Sequence, residues 1–204
     1  MVKEKHRELS DNISFTKLID YFSLRDEIDA LCLKLEEAHK EHIACSASCH
    51  QCCMDFSIFP VEIYSILKEK DGERININHD VSEGECIFLI EGLCSIYESR
   101  PLICRTHGLP LLFMGEDEWK LSYCELNFTG SNLPEFNESN TFPQDRFNSR
   151  LFMLNKEFIK YLKENHYSET DLIPLRELGV LIKKHSTLYA QGSTLNITSA
   201  SPNS

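Results

Sequence analysis

The sequence predicts a mainly α fold, with long helices packed around a small cysteine-rich metal centre that carries one or two short β-hairpins. Three observations predict it. Apolar residues recur at helical spacing near both ends of the chain. Eight of the nine cysteines fall between Cys45 and Cys124. Within that window, short apolar segments are paired across glycine-containing turns.

The elements follow in order. Residues 14–42 predict one long amphipathic helix, with Phe15, Leu18, Ile19, Phe22, Ile28, Leu31, Cys32, Leu35 and Ala38 on its apolar stripe. Asp11, Asn12 and Ser14 offer capping oxygens at its start. Cys32 lies on the stripe and reads as a small core residue. His39 and His42 read as a solvated helix end. A tight loop over 45–53 carries the first cysteine group. A second helix spans about Phe59–Lys70, with Pro60 in its first turn and Glu62 as a helix-start carboxylate. Residues 71–84 read as loop. Cys86–Leu89 and Leu93–Tyr97 form a hairpin through Glu91-Gly92, and Ser99-Arg-Pro101 opens a helical turn carrying Cys104, Arg105 and His107. Leu109–Met114 and Glu118–Cys124 form a second hairpin across Gly115-Glu-Asp117. An irregular connection covers 127–142. Helices over 144–187 close the domain, the first about Gln144–Asn165 and the second about Glu169–His185.

With 204 residues, 42% hydrophobic and 10% aromatic, the chain suits a single domain over 1–190, in which the cysteine region is 45–125. The Ser/Thr/Asn-rich segment 191–204 is expected to be disordered. The net charge of −11 argues against general binding of nucleic acid or anionic membrane. The charged start is not followed by the apolar segment of a secretory signal. The longest apolar runs, Ile87–Ile90 and Leu109–Met114, are too short to span a bilayer. A cytoplasmic location is expected, where thiols stay reduced. An odd cysteine count also suits a disulfide framework poorly. The sequons at Asn12, Asn127, Asn137 and Asn196 carry no weight there. No glycine-rich nucleotide loop and no His-Glu-x-x-His motif occurs.

The cysteines group as Cys45-x3-Cys49-x2-Cys52-Cys53, then Cys86, Cys94, Cys104 and Cys124. Soft thiolates at such spacing are what zinc or an iron–sulfur cluster requires. Cys49-x2-Cys52 is the clearest pair. Adjacent side chains diverge, so Cys52 and Cys53 suit two metals, or different corners of a cluster, better than one small ion. Eight thiolates fill two four-cysteine sites, or one such site with four thiols to spare. Arg100 and Arg105 flank Cys104 and would offset thiolate charge or hold an anion beside it. His50 and His107 neighbour ligand-like cysteines, and either could replace a thiolate.

The segments Cys49-His-Gln-Cys52-Cys53, Pro60-x-Glu62, Cys86-x-Phe-Leu89 and Gly92-x-Cys94-x-Ile-Tyr97-Glu-x-Arg100-Pro101-x2-Cys104-Arg105 resemble the YkgJ-type cysteine-cluster family. That family is a zinc- or iron-chelating domain known by a Cys-x2-Cys-x2-Cys-Cys signature, and the resemblance covers roughly 45–125. The first spacing here is x3 rather than x2. The resemblance implies metal binding, and one branch, the flagellin lysine N-methylases, is associated with an iron–sulfur cluster.

Two functional readings follow. In the first, an iron–sulfur cluster, favoured over zinc, serves redox or methylase-like group-transfer chemistry. In the second, the metal is a structural staple and the acidic helical surface binds a protein partner.

Overall fold

The computed structural model describes residues 15–46, 49–70, 75–162 and 167–179. Helix α1, Ile19–Ala38, follows a 3-10 turn over Phe15–Lys17. It buries Tyr21, Leu24, Ile28, Cys32 and Leu35, one stripe repeating every three or four residues. The helix stops short of the predicted residue 42 because the chain beyond it is pinned. The His39 imidazole is 2% exposed and donates from Nε2 to Asn140 O at 2.6 Å. The solvated helix end expected at His39 is therefore a buried anchor.

After strand β1, Ser57–Ile58, helix α2 runs over Pro60–Glu69. Each residue from Pro60 to Ile66 is buried, the polar Glu62 and Ser65 included, so α2 is enclosed on all sides over its first two turns and works as a hub. Val61 and Tyr64 join an apolar cluster with α1, while Ile63 and Ile66 join a second cluster. Strands β2, Leu89–Ile90, and β3, Leu93–Cys94, form the expected hairpin. Glu91 and Gly92 have φ of 49° and 80°, as a two-residue turn with both φ values positive requires. Helix α3, Leu102–Thr106, carries Cys104 and Arg105. Strands β4, Leu111–Met114, and β5, Trp119–Ser122, form the second expected hairpin. Strand β6, Phe142–Pro143, adds to β4 in parallel. Helix α4, Gln144–Ile159, returns to the first cluster through Phe147, Leu151, Phe158 and Ile159. Strand β7, Ile173–Pro174, pairs antiparallel with β1 and leads into helix from Leu175 to Gly179.

The mainly α expectation is overturned. Among the described residues about 40% are helical and 13% strand, with three helices of seven residues or more. Nor do long helices surround the cysteines. Helices α1 and α4 pack with one face of α2, and the cysteine segment packs against the second cluster with Ile58, Phe88, Ile96 and Leu178. The cause is local. Backbone N–H groups of the thiol-bearing segments go to turns and short bridges, as from Cys49 to Ser46 O and from Cys53 to His50 O, both 2.9 Å. The second closing helix begins later than expected because Ile173 and Pro174 pair with β1. The remainder of that helix, and the segment 191–204, lie outside the described residues.

Candidate metal centre

Glu62 organises the approach to the centre. Its Oε2 accepts from Phe59 N–H at 3.1 Å, capping α2, and its Oε1 accepts from Leu102 N–H at 2.9 Å, capping α3. One carboxylate thus fixes α3, and Cys104 with it, against the hub. Burial pushes the Glu62 carboxyl up to about 7, against the pull of its two N–H donors.

Arg105 is fully engaged inside the protein. Its Nε donates to Arg100 O at 2.8 Å and its Nη1 to both Asp29 oxygens, at 2.7 and 2.5 Å, while Nη2 donates to Glu98 O. It is 6% exposed and ties the 3-10 turn Tyr97–Ser99 to α1. These contacts give it a framework role, beside the charge-offsetting or anion-holding one expected from sequence. Arg100 stacks its guanidinium 3.8 Å over the Tyr97 ring. Its charge favours the thiolates of Cys94 and Cys104, but burial outweighs it and pushes both thiols up.

The thiol segments fall into two neighbourhoods. In the first, Cys86 N–H donates to Cys53 O at 3.3 Å beside an antiparallel Met54–Glu85 bridge. Opposed residues of such a pair project from the same face, so the Cys53 and Cys86 side chains are neighbours. The chain turns at Cys86, whose carbonyl accepts from Leu89 N–H, and Leu89 stands opposite Cys94 in the β2–β3 hairpin. Cys104 lies close enough to Cys86 and Cys94 to feel their charge. Cys86 is 7% exposed and belongs to the second apolar cluster, against which Cys53 and Cys94 pack.

In the second neighbourhood, Cys45 interacts with the charges of Cys124, Cys49 and Cys52. Asn127 holds it together. The Asn127 Oδ1 accepts from Ala44 N–H at 2.8 Å, and its Nδ2 donates to Gly108 O at 2.8 Å and toward Cys45 Sγ at 3.4 Å. The Asn127 N–H bonds Cys124 O at 2.9 Å, which sets that cysteine beside the group. Cys45 is exposed.

Cys52 and Cys53 lie where the neighbourhoods meet, and each thiol perturbs the ionisation of the other. The neighbouring Cys52 and burial push the Cys53 thiol up. The neighbouring Cys53 holds the Cys52 thiol down, with His107 and His50 adding to it against the cost of burial. His107 packs 5.6 Å from the Phe56 ring, and His50 lies close to Gly92. Cys32 is 5% exposed in the first apolar cluster, pushed up to about 12 by burial, as suits a core residue.

All nine cysteines are free thiols. Among the described residues, no group of three or more His, Cys, Asp and Glu side chains is drawn together into a finished metal site. The residue types nevertheless suit zinc or iron, since both favour soft thiols. The sequence reading missed Asp29, the partner of Arg105, and Asn127, read only as a glycosylation pattern but 1% exposed here. Its place three residues after Cys124 is the only signal it leaves. No described helix is long and apolar enough to cross a membrane.

Residues 44–125 match the model of one protein family, described as "CxxCxxCC: Putative zinc- or iron-chelating domain". No curated protein and no solved structure matches the chain.

Proposed function

We propose that this chain, whose residues 44–125 match the CxxCxxCC family model, is a cytoplasmic metal-binding protein that holds zinc or an iron–sulfur cluster through Cys45, Cys49, Cys52, Cys53, Cys86, Cys94, Cys104 and Cys124. The supporting observation is the gathering of four sequence-distant thiol segments by backbone bonds, Glu62 and Asn127. The iron–sulfur reading remains the favoured one, because the thiols outnumber the ligands of a single zinc ion. Redox or group-transfer chemistry suits the Cys45–Cys124 side. There a thiol is exposed, and the Cys52 thiolate has two histidines near it. The competing reading is a non-enzymatic module with a structural metal and a protein partner on its acidic surface. It draws support from Arg105, whose donors are consumed internally.

Anaerobic purification followed by visible absorption and metal analysis tests the proposal. A broad charge-transfer band with iron and inorganic sulfide supports the cluster. Colourless protein with stoichiometric zinc replaces the cluster by zinc. Neither metal, in protein shown to be folded and reduced, refutes metal binding altogether.

A further inference from the structure

We infer that the open edge and outer face of the β4–β5 hairpin form a docking surface for a basic, extended segment of another protein, which adds to β5 as a further strand. The inference is independent of which metal reading above holds.

The hairpin register fixes what β5 offers. Gly115 N–H donates to Glu118 O at 2.8 Å, so the hydrogen-bonded pairs fall at Gly115–Glu118, Phe113–Lys120 and Leu111–Ser122. Trp119 and Leu121, opposite Met114 and Leu112, fall at the alternate pairs, and their N–H and C=O groups point away from β4. Among the described residues, β5 is an edge strand, in the order β5-β4-β6. The outward N–H of Met114 on β4 is taken by Asp145 Oδ2 at 2.7 Å. The outward groups of Trp119 and Leu121 have no such partner among the described residues. An open edge of this kind is a template for strand addition.

The face beside that edge is apolar, where the solvent side of an antiparallel pair is usually polar. Leu111 and Phe142 stand opposite each other in β4 and β6, and both meet the first apolar cluster. Side chains alternate along a strand, so Leu112, Met114, Trp119 and Leu121 share the other face. Met114, Trp119 and Leu121 are 47%, 60% and 36% exposed. Lys120, the residue that could guard the edge, projects to the opposite face with its stem folded beside Gly115.

Charge identifies the occupant. The turn carries Glu116, Asp117 and Glu118, and Glu125 follows the strand; all four are exposed and none has an ion-pair partner among the described residues. A basic segment with apolar side chains at alternate positions matches the acids and the apolar face together. A second copy of this chain would meet the apolar face but set acid against acid, each copy carrying a net charge of −11.

Trp119 is the only tryptophan in the chain, so its emission reads this site alone. The full-length protein is titrated with three synthetic peptides: one alternating lysine and valine, the same peptide with glutamate for lysine, and the lysine peptide with its backbone amides methylated. The lysine peptide should shift the emission to the blue and saturate, binding more weakly as salt rises; the other two should not. Leu121→Pro removes an outward N–H without touching the ladder to β4, and should weaken binding by about tenfold with circular dichroism unchanged. Glu116→Lys/Glu118→Lys should also weaken binding, and it leaves every strand residue in place. The proposal is overturned by no shift with the lysine peptide, by an equal response to either control peptide, or by folded variants that bind as the parent does. Self-association of the parent chain in sedimentation that Leu121→Pro abolishes also overturns it, by making a second copy the occupant.

Discussion

Replacing Glu62 by Gln should change how stability depends on pH, and the size of the change can be worked out. The carboxyl is buried and its folded value is raised from 4.5 to about 7. The native state therefore holds the proton more tightly than the unfolded chain. The resulting stability is fully present below 4.5 and is lost as pH rises through 7. At 1.36 kcal/mol per unit, the parent should lose about 3 kcal/mol across that window from this group. Gln keeps an acceptor for Leu102 N–H but sets an amide N–H2 against Phe59 N–H, a pH-independent cost of about 1–2 kcal/mol. The variant should thus be the less stable chain in acid and should gain on the parent by about 3 kcal/mol toward neutral pH. Urea unfolding of both chains, followed by far-UV circular dichroism at several pH values from 4.5 to 7.5, measures the difference. Thiol ionisation is common to both chains and cancels to first order. A difference flat to within about 0.5 kcal/mol would show that Glu62 is not the buried, proton-binding cap described here.

Arg105→Met should destabilise the protein by about 3 kcal/mol, since it strips the Glu98 and Arg100 carbonyls and Asp29 of their donor; thermal unfolding measures this. Arg105→Lys should recover only part of it, because a point ammonium cannot span three directions. Gly108→Ala should cost about 1–3 kcal/mol, because φ is +98° and the new Cβ would sit 3.0 Å from Cys45 Sγ. Peptide-mapped alkylation should also find Cys45 reacting faster in that variant. Cys32→Ala should leave metal content unchanged by elemental analysis and cost about 1 kcal/mol of stability; loss of bound metal would make Cys32 a ligand.

Much of the local structure was legible because its signals are local. Pro60 and Glu62 marked the start of α2, Glu91-Gly92 marked a two-residue turn, and the thiol spacing marked the segment that a family model matches. What failed depended on partners far away in the chain. The helix expected to 42 ends at Ala38, where His39 meets Asn140 instead of solvent. Arg105, expected to offset thiolate charge or hold an anion, has a partner in Asp29 that the sequence did not reveal. By itself the sequence determined which residues can ligate soft metal, because thiol chemistry and short loops belong to the residues and their spacing. Only the tertiary structure decided which thiols stand together, which carboxylate caps two helices and which charges are already paired. Those relations join residues tens of positions apart, and they form only when burial makes every polar group find a partner.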